Sequence, residues 1–103
     1  MKNIILCCAS GMSTSLLVQK MEKEVKNAGL DIAIKAISVI EFNDNIQNAD
    51  LFLLGPQVKH ELKKLQPIAE SAGKKIAVID MMDYGMLKGD KVLEKALILM
   101  DMK

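Results

Sequence analysis

Residues 3–8, NIILCC, run directly into residues 9–15, ASGMSTS, and this junction decides the fold. An apolar run of strand length that stops at small and hydroxylated residues predicts a buried strand followed by a loop. Apolar residues then recur at helical spacing from residue 13 to Ala28, and Gly29 is of the type that commonly ends a helix. The chain therefore opens with a strand, a loop of small residues and an amphipathic helix.

The alternation of strand and helix continues along the rest of the chain. The further predicted strands span residues 31–37, 51–54 and 75–79, and the further predicted helices span residues 58–72 and 90–100. Pro67 is expected to kink or divide a helix, and residues 39–46 suggest a short helix or an irregular connection.

This alternation predicts an α/β fold in three layers. Strands separated by helices pair in parallel through right-handed crossovers, with helices on both faces of the sheet. We therefore predict a doubly wound, four-stranded parallel sheet. Ligands of such sheets bind beyond the carboxyl ends of the strands at a topological switch point, which directs attention to the loops after Cys8, Leu54 and Ile79.

The composition fits one domain spanning residues 1–103, because a hydrophobic content of 50% is sufficient for a single core. The net charge is +1, the basic residues are dispersed and aromatic residues are few, so no binding of nucleic acid is predicted. No apolar run approaches the ~20 residues of a membrane span, and residues 3–8 are too short for a signal peptide. We expect a cytoplasmic protein that does not insert into the membrane.

The two cysteines, Cys7 and Cys8, are adjacent. Neighbours cannot form the long-range disulfide of a secreted miniprotein, so reduced thiols are expected. The one histidine, His60, is far from them in sequence, which leaves too few ligands for a zinc site. We predict neither a metal nor a cofactor.

The loop after Cys8 has the composition of a phosphate-binding loop. Its residues are Ala9, Ser10, Gly11, Met12, Ser13, Thr14 and Ser15. Small residues allow the backbone to approach an anion, and the unpaired amides and dipole of the following helix attract it. The same field is expected to lower the pKa of Cys8 below the ordinary value of about 8.5. Because strand side chains alternate between faces, Cys8 is the predicted nucleophile and Cys7 a buried core residue.

A thiol at such a loop is compatible with three functions. A tyrosine phosphatase has the pattern Cys-x5-Arg, but Thr14 occupies the sixth position after Cys8, and the chain contains no arginine. Without a bidentate arginine clamp, we expect the phosphoryl group to be held and handed on rather than hydrolysed. A small-molecule or tyrosine phosphatase and a non-catalytic regulatory module with a redox-sensing thiol stay open as alternatives.

Loops beyond the other strands supply further candidates. Gln57 is expected at the same sheet edge as Cys8, where it contacts the loop or a partner, or merely belongs to a turn. Tyr84 is expected to pack over the loop or to donate its hydroxyl, and Asp83 to cap a helix or lie at the surface. His60 is expected on a solvent-exposed helix face.

Residues 4–21, IILCCASGMSTSLLVQKM, resemble the opening of the enzyme IIB component of the sugar phosphotransferase system, lactose/cellobiose class. The similarity continues through residues 50–57, DLFLLGPQ, and through residues 79–85, and so spans nearly the whole chain. This resemblance implies that Cys8 is a phosphocysteine carrier. It also implies a phosphohistidine on a IIA component as donor and a sugar bound by the membrane IIC component as acceptor, in import driven by phosphoenolpyruvate.

Overall fold

The computed structural model describes residues 2–9 and 15–101. Its strands are β1 (Lys2–Cys8), β2 (Ile32–Ser38), β3 (Leu51–Leu54) and β4 (Lys75–Val78). They form one sheet in the order β2-β1-β3-β4, and every neighbouring pair is parallel. The predicted four-stranded parallel sheet is confirmed.

Among the described residues, four α-helices and three 3-10 helices connect and cover the strands. The α-helices are α1 (Ser15–Ala28), α2 (Leu62–Ser71), α3 (Met81–Gly85) and α4 (Gly89–Leu99). The 3-10 helices span Val39–Glu41, Asn43–Asn48 and Pro56–Glu61. Beyond α1, Gly29 adopts a φ of 67°, the left-handed conformation that glycine tolerates and that commonly ends a helix. No helix in the described part of the chain is long and apolar enough to cross a membrane.

Each face of the sheet carries its own hydrophobic core. Along β1, Ile4 and Leu6 pack with α1 and α4, whereas Ile5 and Cys7 pack with α2 and the segments around the 3-10 helices. This alternation follows from the two-residue period of a strand. Helices therefore cover both faces, which confirms the three-layer, doubly wound arrangement.

The prediction that Pro67 divides a helix is wrong. Pro67 lies inside the uninterrupted helix α2, and the irregularity occurs earlier, at Val58, whose φ of −117° and ψ of 21° are not helical. The carbonyl oxygen that lacks the proline amide belongs to Lys63, and both Lys63 and Pro67 are exposed, so water can take the place of the missing donor.

The strand order creates one topological switch point. From β1 the chain moves to β2 on one side, and it then crosses to β3 on the other side of β1. The carboxyl ends of β1 and β3 thus lie where sheets of this kind bind ligands. Cys8 ends β1, and Gly55 follows β3.

Candidate functional site

Cys8 is the last residue of β1 and lies at the switch point between β1 and β3. Its Cα partner across the ladder with β2 is Ser38. Strand alternation puts its side chain on the same face as Ile4 and Leu6, the face that α1 covers. The structure thus places the predicted nucleophile at the ligand-binding edge of the sheet, directly before the predicted phosphate loop.

Cys7 occupies the opposite core, although it is the preceding residue. It packs in the cluster that contains Ile5 and Phe52, and its side chain is fully buried. Burial raises the pKa of the Cys7 thiol to about 12, and negative charge at Cys8 and Glu41 acts in the same direction. Cys7 therefore stays protonated at neutral pH, in agreement with its predicted role as a core residue.

The turn after β3 approaches Cys8 from the other side of the switch point. The amide of Gly55 donates to the carbonyl oxygen of Cys7 at 2.8 Å. A methyl group at Gly55 would lie 3.7 Å from Cβ of Cys8 and only 2.8 Å from Oε1 of Gln57. The glycine therefore leaves the space into which the Gln57 amide folds. Gln57 lies at the predicted edge of the sheet, close to Cys8, the predicted nucleophile.

The two ends of the predicted phosphate loop are among the described residues. Ala9 follows β1 and Ser15 begins α1, and both are exposed. The first turn of α1 contains no acidic residue, so no carboxylate there offsets the positive end of the helix dipole. Ser10, Gly11, Met12, Ser13 and Thr14 lie outside the described residues, and their role as phosphate ligands stays a prediction.

Beyond β4 lies helix α3, which the sequence analysis missed. The carboxylate of Asp80 caps it by accepting the amides of Met82 at 3.0 Å and Asp83 at 3.2 Å. Tyr84 of α3 is half-buried and packs against the core beneath α1 and α4, on the Cys8 side of the sheet. Its predicted contact with the phosphate loop involves residues outside the described part of the chain and stays a prediction. An aspartate directly after a strand is a frequent N-cap, and this signal could have revealed α3.

Of the two positions predicted for Asp83, a helix cap or the surface, the cap is wrong. Its side chain is only 13% exposed, and its carboxylate lies 2.9 Å from Nζ of Lys95 in α4. This hydrogen bond raises the pKa of Lys95. Asp83 thus connects α3 to α4, and the cap is Asp80.

Ser38, at the end of β2, is a second residue that the sequence analysis missed. Its hydroxyl oxygen accepts the amide of Ile40, and the carboxylate of Glu41 accepts the amide of Ser38. The spacing Ser38-x-x-Glu41 is the sequence pattern of a capping box. The Ser38 hydroxyl also donates to the carbonyl oxygen of Ala9 at 3.2 Å, although the two residues are 29 positions apart in the sequence. No pattern in the sequence predicts that contact.

The remaining candidate, His60, lies at the surface as predicted. Its side chain is 71% exposed, and its Nε2 atom is 3.6 Å from the carboxylate of Glu61. Across residues 2–9 and 15–101, no group of three or more histidine, cysteine, aspartate or glutamate side chains is placed to hold a metal ion.

The family model of the phosphotransferase-system lactose/cellobiose-specific IIB subunit matches residues 3–95. The chain belongs to this family. As a IIB component, it is a phosphotransferase of the cellobiose/lactose class of the sugar phosphotransferase system, which confirms the resemblance in residues 4–21 and 50–57.

Individual IIB relatives match along nearly their whole length. The chain is 43% identical over 100 residues to the oligo-beta-mannoside-specific EIIB component of Bacillus subtilis. It is 45% identical over 105 residues to the cellobiose-specific EIIB component of Lactococcus lactis, and the same identity holds for a galactose-specific EIIB component of that species. Each alignment covers 97% of this chain and 97% of the relative.

Solved IIB structures share the fold. The cellobiose-specific IIB component of Borrelia burgdorferi superimposes with a TM-score of 0.81 at 37% identity, covering 97% of this chain and 92% of that one. The lactose-specific IIB domain of Streptococcus pneumoniae superimposes with a TM-score of 0.87, covering 95% of this chain and 96% of that one. The second likeness, at 20% identity, concerns the fold alone.

Proposed function

We propose that this IIB chain carries a phosphoryl group on Cys8, accepts it from a phosphohistidine of a IIA component and passes it to a sugar bound by a membrane IIC component. The observation that carries the proposal is the position of Cys8, at the carboxyl end of β1 beside the switch point. Family membership supports the two partners. The exchange takes place in the cytoplasm, and the carrier unit spans residues 1–103.

The proposed reaction consists of two in-line displacements at phosphorus. In the first, the Cys8 thiolate attacks the phosphohistidine, so that a P–S bond forms as the P–N bond breaks and the imidazole keeps the electron pair. In the second, a sugar hydroxyl attacks the phosphocysteine, loses its proton and displaces the thiolate. Amides of residues 9–15 and the amino end of α1 hold the negative charge during both steps.

Two features of the sequence favour transfer over hydrolysis. Thr14 stands where a phosphatase of the Cys-x5-Arg type needs arginine, and no arginine occurs in the chain. Neutral amide and hydroxyl donors then have to hold the phosphate without the bidentate clamp that a guanidinium provides. Such a site suits a phosphoryl group that stays on the carrier until it is transferred to a partner.

The sugars for which the relatives are named support selection of the acceptor by another component. Relatives named for oligo-beta-mannoside, cellobiose and galactose are 43%, 45% and 45% identical to this chain. The sequence identity between this chain and its IIB relatives therefore does not depend on the sugar for which each relative is named. This is expected if the IIC component selects the sugar.

The test is to incubate the chain with a phosphorylated IIA component and to measure its intact mass. The wild-type chain and Cys7→Ser should each gain about 80 Da, the mass of one phosphoryl group on the nucleophile, whereas Cys8→Ser should gain nothing. An adduct on Cys8→Ser would overturn the assignment. Rapid hydrolysis of p-nitrophenyl phosphate would favour a phosphatase, and peroxide-sensitive Cys8 without any adduct would favour a redox sensor.

A further inference from the structure

Glu41 is an acidic residue whose side chain folds back over the end of β2. It ends the 3-10 helix Val39–Glu41, which follows the strand directly. In the capping box of this helix, Oε1 of Glu41 accepts the amide of Ser38 at 3.0 Å, and the Ser38 hydroxyl accepts the amide of Ile40 at 3.4 Å. These contacts hold the carboxylate at the carboxyl end of β2.

The end of β2 lies directly beside the proposed phosphorylation site. Ser38 is the ladder partner of Cys8, and β1 and β2 are parallel neighbours, which lie about 4.8 Å apart in a sheet. Because Oε1 of Glu41 is 3.0 Å from the Ser38 nitrogen, it lies within roughly 10 Å of the Cα atom of Cys8. A fixed carboxylate therefore stands next to the residue that is proposed to carry the phosphoryl group.

Glu41 differs from the acidic residues that follow β4. Asp83 is paired with Lys95 at 2.9 Å, and Asp80, which caps α3, follows a strand that β3 separates from β1. Glu41 follows a strand that is directly adjacent to β1. In the described part of the chain, no lysine or histidine forms an ion pair with Glu41. Its negative charge is therefore not offset by a direct partner there.

The charge of Glu41 acts on the end of β1. Burial is the main cause of the raised pKa of Cys7, and the negative charges of Cys8 and Glu41 raise this pKa further. Cys8 is the next residue along the strand. Because a charge acts in all directions, its effect on Cys8 does not depend on the face of the sheet to which that side chain points.

We propose that Glu41 raises the phosphoryl-transfer potential of the carrier, because its carboxylate repels the phosphoryl group on Cys8. The inference rests on the proposed function of Cys8. Phosphorylation adds negative charge, so a neighbouring carboxylate destabilises the phosphorylated form relative to the free form. The phosphoryl group is then passed on more completely to an acceptor. Glu41 does not touch the phosphoryl group and acts through its charge alone.

The experiment compares wild type with Glu41→Gln, which removes the charge but keeps an oxygen that accepts the Ser38 amide. Each chain is mixed with phosphorylated IIA component until equilibrium is reached, and intact mass gives the phosphorylated fraction of both components. Because the equilibrium constant compares the free components, contacts within their complex do not contribute to it.

Glu41→Gln should shift this equilibrium towards the phosphorylated IIB chain roughly threefold at low salt, as expected for one charge at this distance in a solvated site. Glu41 is exposed, and salt screens exposed charges at such separations. The difference between the two chains should therefore largely disappear at about 1 M salt, where the Debye length is only about 3 Å.

Two control variants separate the charge from the local structure. Glu70→Gln makes the same change at an exposed residue near the end of α2, which leads to the amino end of β4 at the opposite edge of the sheet. Its equilibrium should match wild type. Glu41→Ala removes both the charge and the capping box, and it should shift the equilibrium no further than Glu41→Gln.

Four results would each overturn the inference. They are an unchanged or reversed equilibrium in Glu41→Gln, an equal shift in Glu70→Gln, a shift in Glu41→Ala alone, and a shift in Glu41→Gln that high salt does not reduce. The third would assign the effect to the capping box instead of the charge.

Failure of the proposed function gives a different result. If wild type takes no phosphoryl group, the carrier function is refuted, and alkylation by iodoacetamide at neutral pH still measures the effect of Glu41 on Cys8. Loss of the negative charge favours the thiolate, so Cys8 should react roughly twofold faster in Glu41→Gln than in wild type or Glu70→Gln. Peptide masses locate the adduct at Cys8. Equal rates in all three proteins would refute an action of the Glu41 charge on this thiol.

Discussion

Cys7 and Cys8 carry the same functional group, are adjacent in the chain and are both fully buried, yet their surroundings differ. Cys7 is packed in the core beneath α2. Cys8 faces the α1 side at the end of β1, where the loop and the turn at Gly55 begin. Burial alone therefore does not separate a structural thiol from the proposed nucleophile.

What separates them is the environment on each face. Cys7 is surrounded by apolar side chains, so nothing compensates the loss of hydration that ionisation requires, and its pKa is about 12. On the other face, the loop that follows Cys8 leads to the amino end of α1, whose first turn has no acidic residue. A step of one residue along a strand changes the face, and with it the chemistry available to the thiol.

The largest effect that we predict is the loss of folding stability at alkaline pH that ionisation of Cys7 causes. The pKa of Cys7 rises from 9.0 to about 12 on folding, so between these values the unfolded chain binds fewer protons and stability falls as pH rises. The contribution of Cys7 to the free energy of unfolding is fully present below pH 9 and is lost by about pH 12. The loss amounts to about 1.4 kcal/mol per pH unit and about 4 kcal/mol in total.

Urea unfolding of wild type and Cys7→Ala between pH 8 and 11 measures this contribution. The stability difference between the two proteins should be constant up to about pH 9 and should then shift against wild type by about 1.4 kcal/mol per pH unit. A difference that stays constant throughout would show that Cys7 is not buried as described.

A smaller effect is predicted on the Cys8 side, from Gly55→Ala. The added methyl group meets Oε1 of Gln57 at 2.8 Å, then the carbonyl oxygen of Cys7 at 3.5 Å and Cβ of Cys8 at 3.7 Å. The Gln57 side chain is exposed and can swing away, so we expect a cost of about 1–2 kcal/mol, at the low end of overpacking in a core.

The double variant Gly55→Ala/Gln57→Ala tests the origin of that cost in a double-mutant cycle. Removal of the Gln57 amide should relieve most of the penalty, giving a coupling of about 1 kcal/mol between the two positions. The alkaline slope that belongs to Cys7 should be the same in every member of the cycle. If the effects of the two substitutions on the free energy of unfolding are strictly additive, the added methyl group strains Cys8 or the backbone and not Gln57.

The sequence predicted the sheet and the separation of the two thiols because both depend on local periodicity. The alternation along β1 assigns Cys7 and Cys8 to different faces before any tertiary contact is known. Contacts between distant segments could not be predicted from the sequence, such as those of Ser38 with Ala9 and of Asp83 with Lys95. Helix α3 was missed because its five residues are too few to show an apolar period.

The smallest predicted effect belongs to Asp80, which caps that missed helix on the Cys8 side. Asp80→Ala leaves the amides of Met82 and Asp83 without their acceptor, and loss of such a cap costs about 1 kcal/mol. Asp80→Asn keeps an N-cap oxygen and should stay near wild type. Hydrogen exchange should accelerate at these two amides in Asp80→Ala only. Amides in the core around Cys7 should keep their rates. The reason is that fraying of α3 loosens the packing of Tyr84 but leaves the opposite face of the sheet intact. Uniform acceleration across both cores would mean that the two faces unfold as one unit, and the contrast between the thiols would then lie in their chemistry and not in independent local stability.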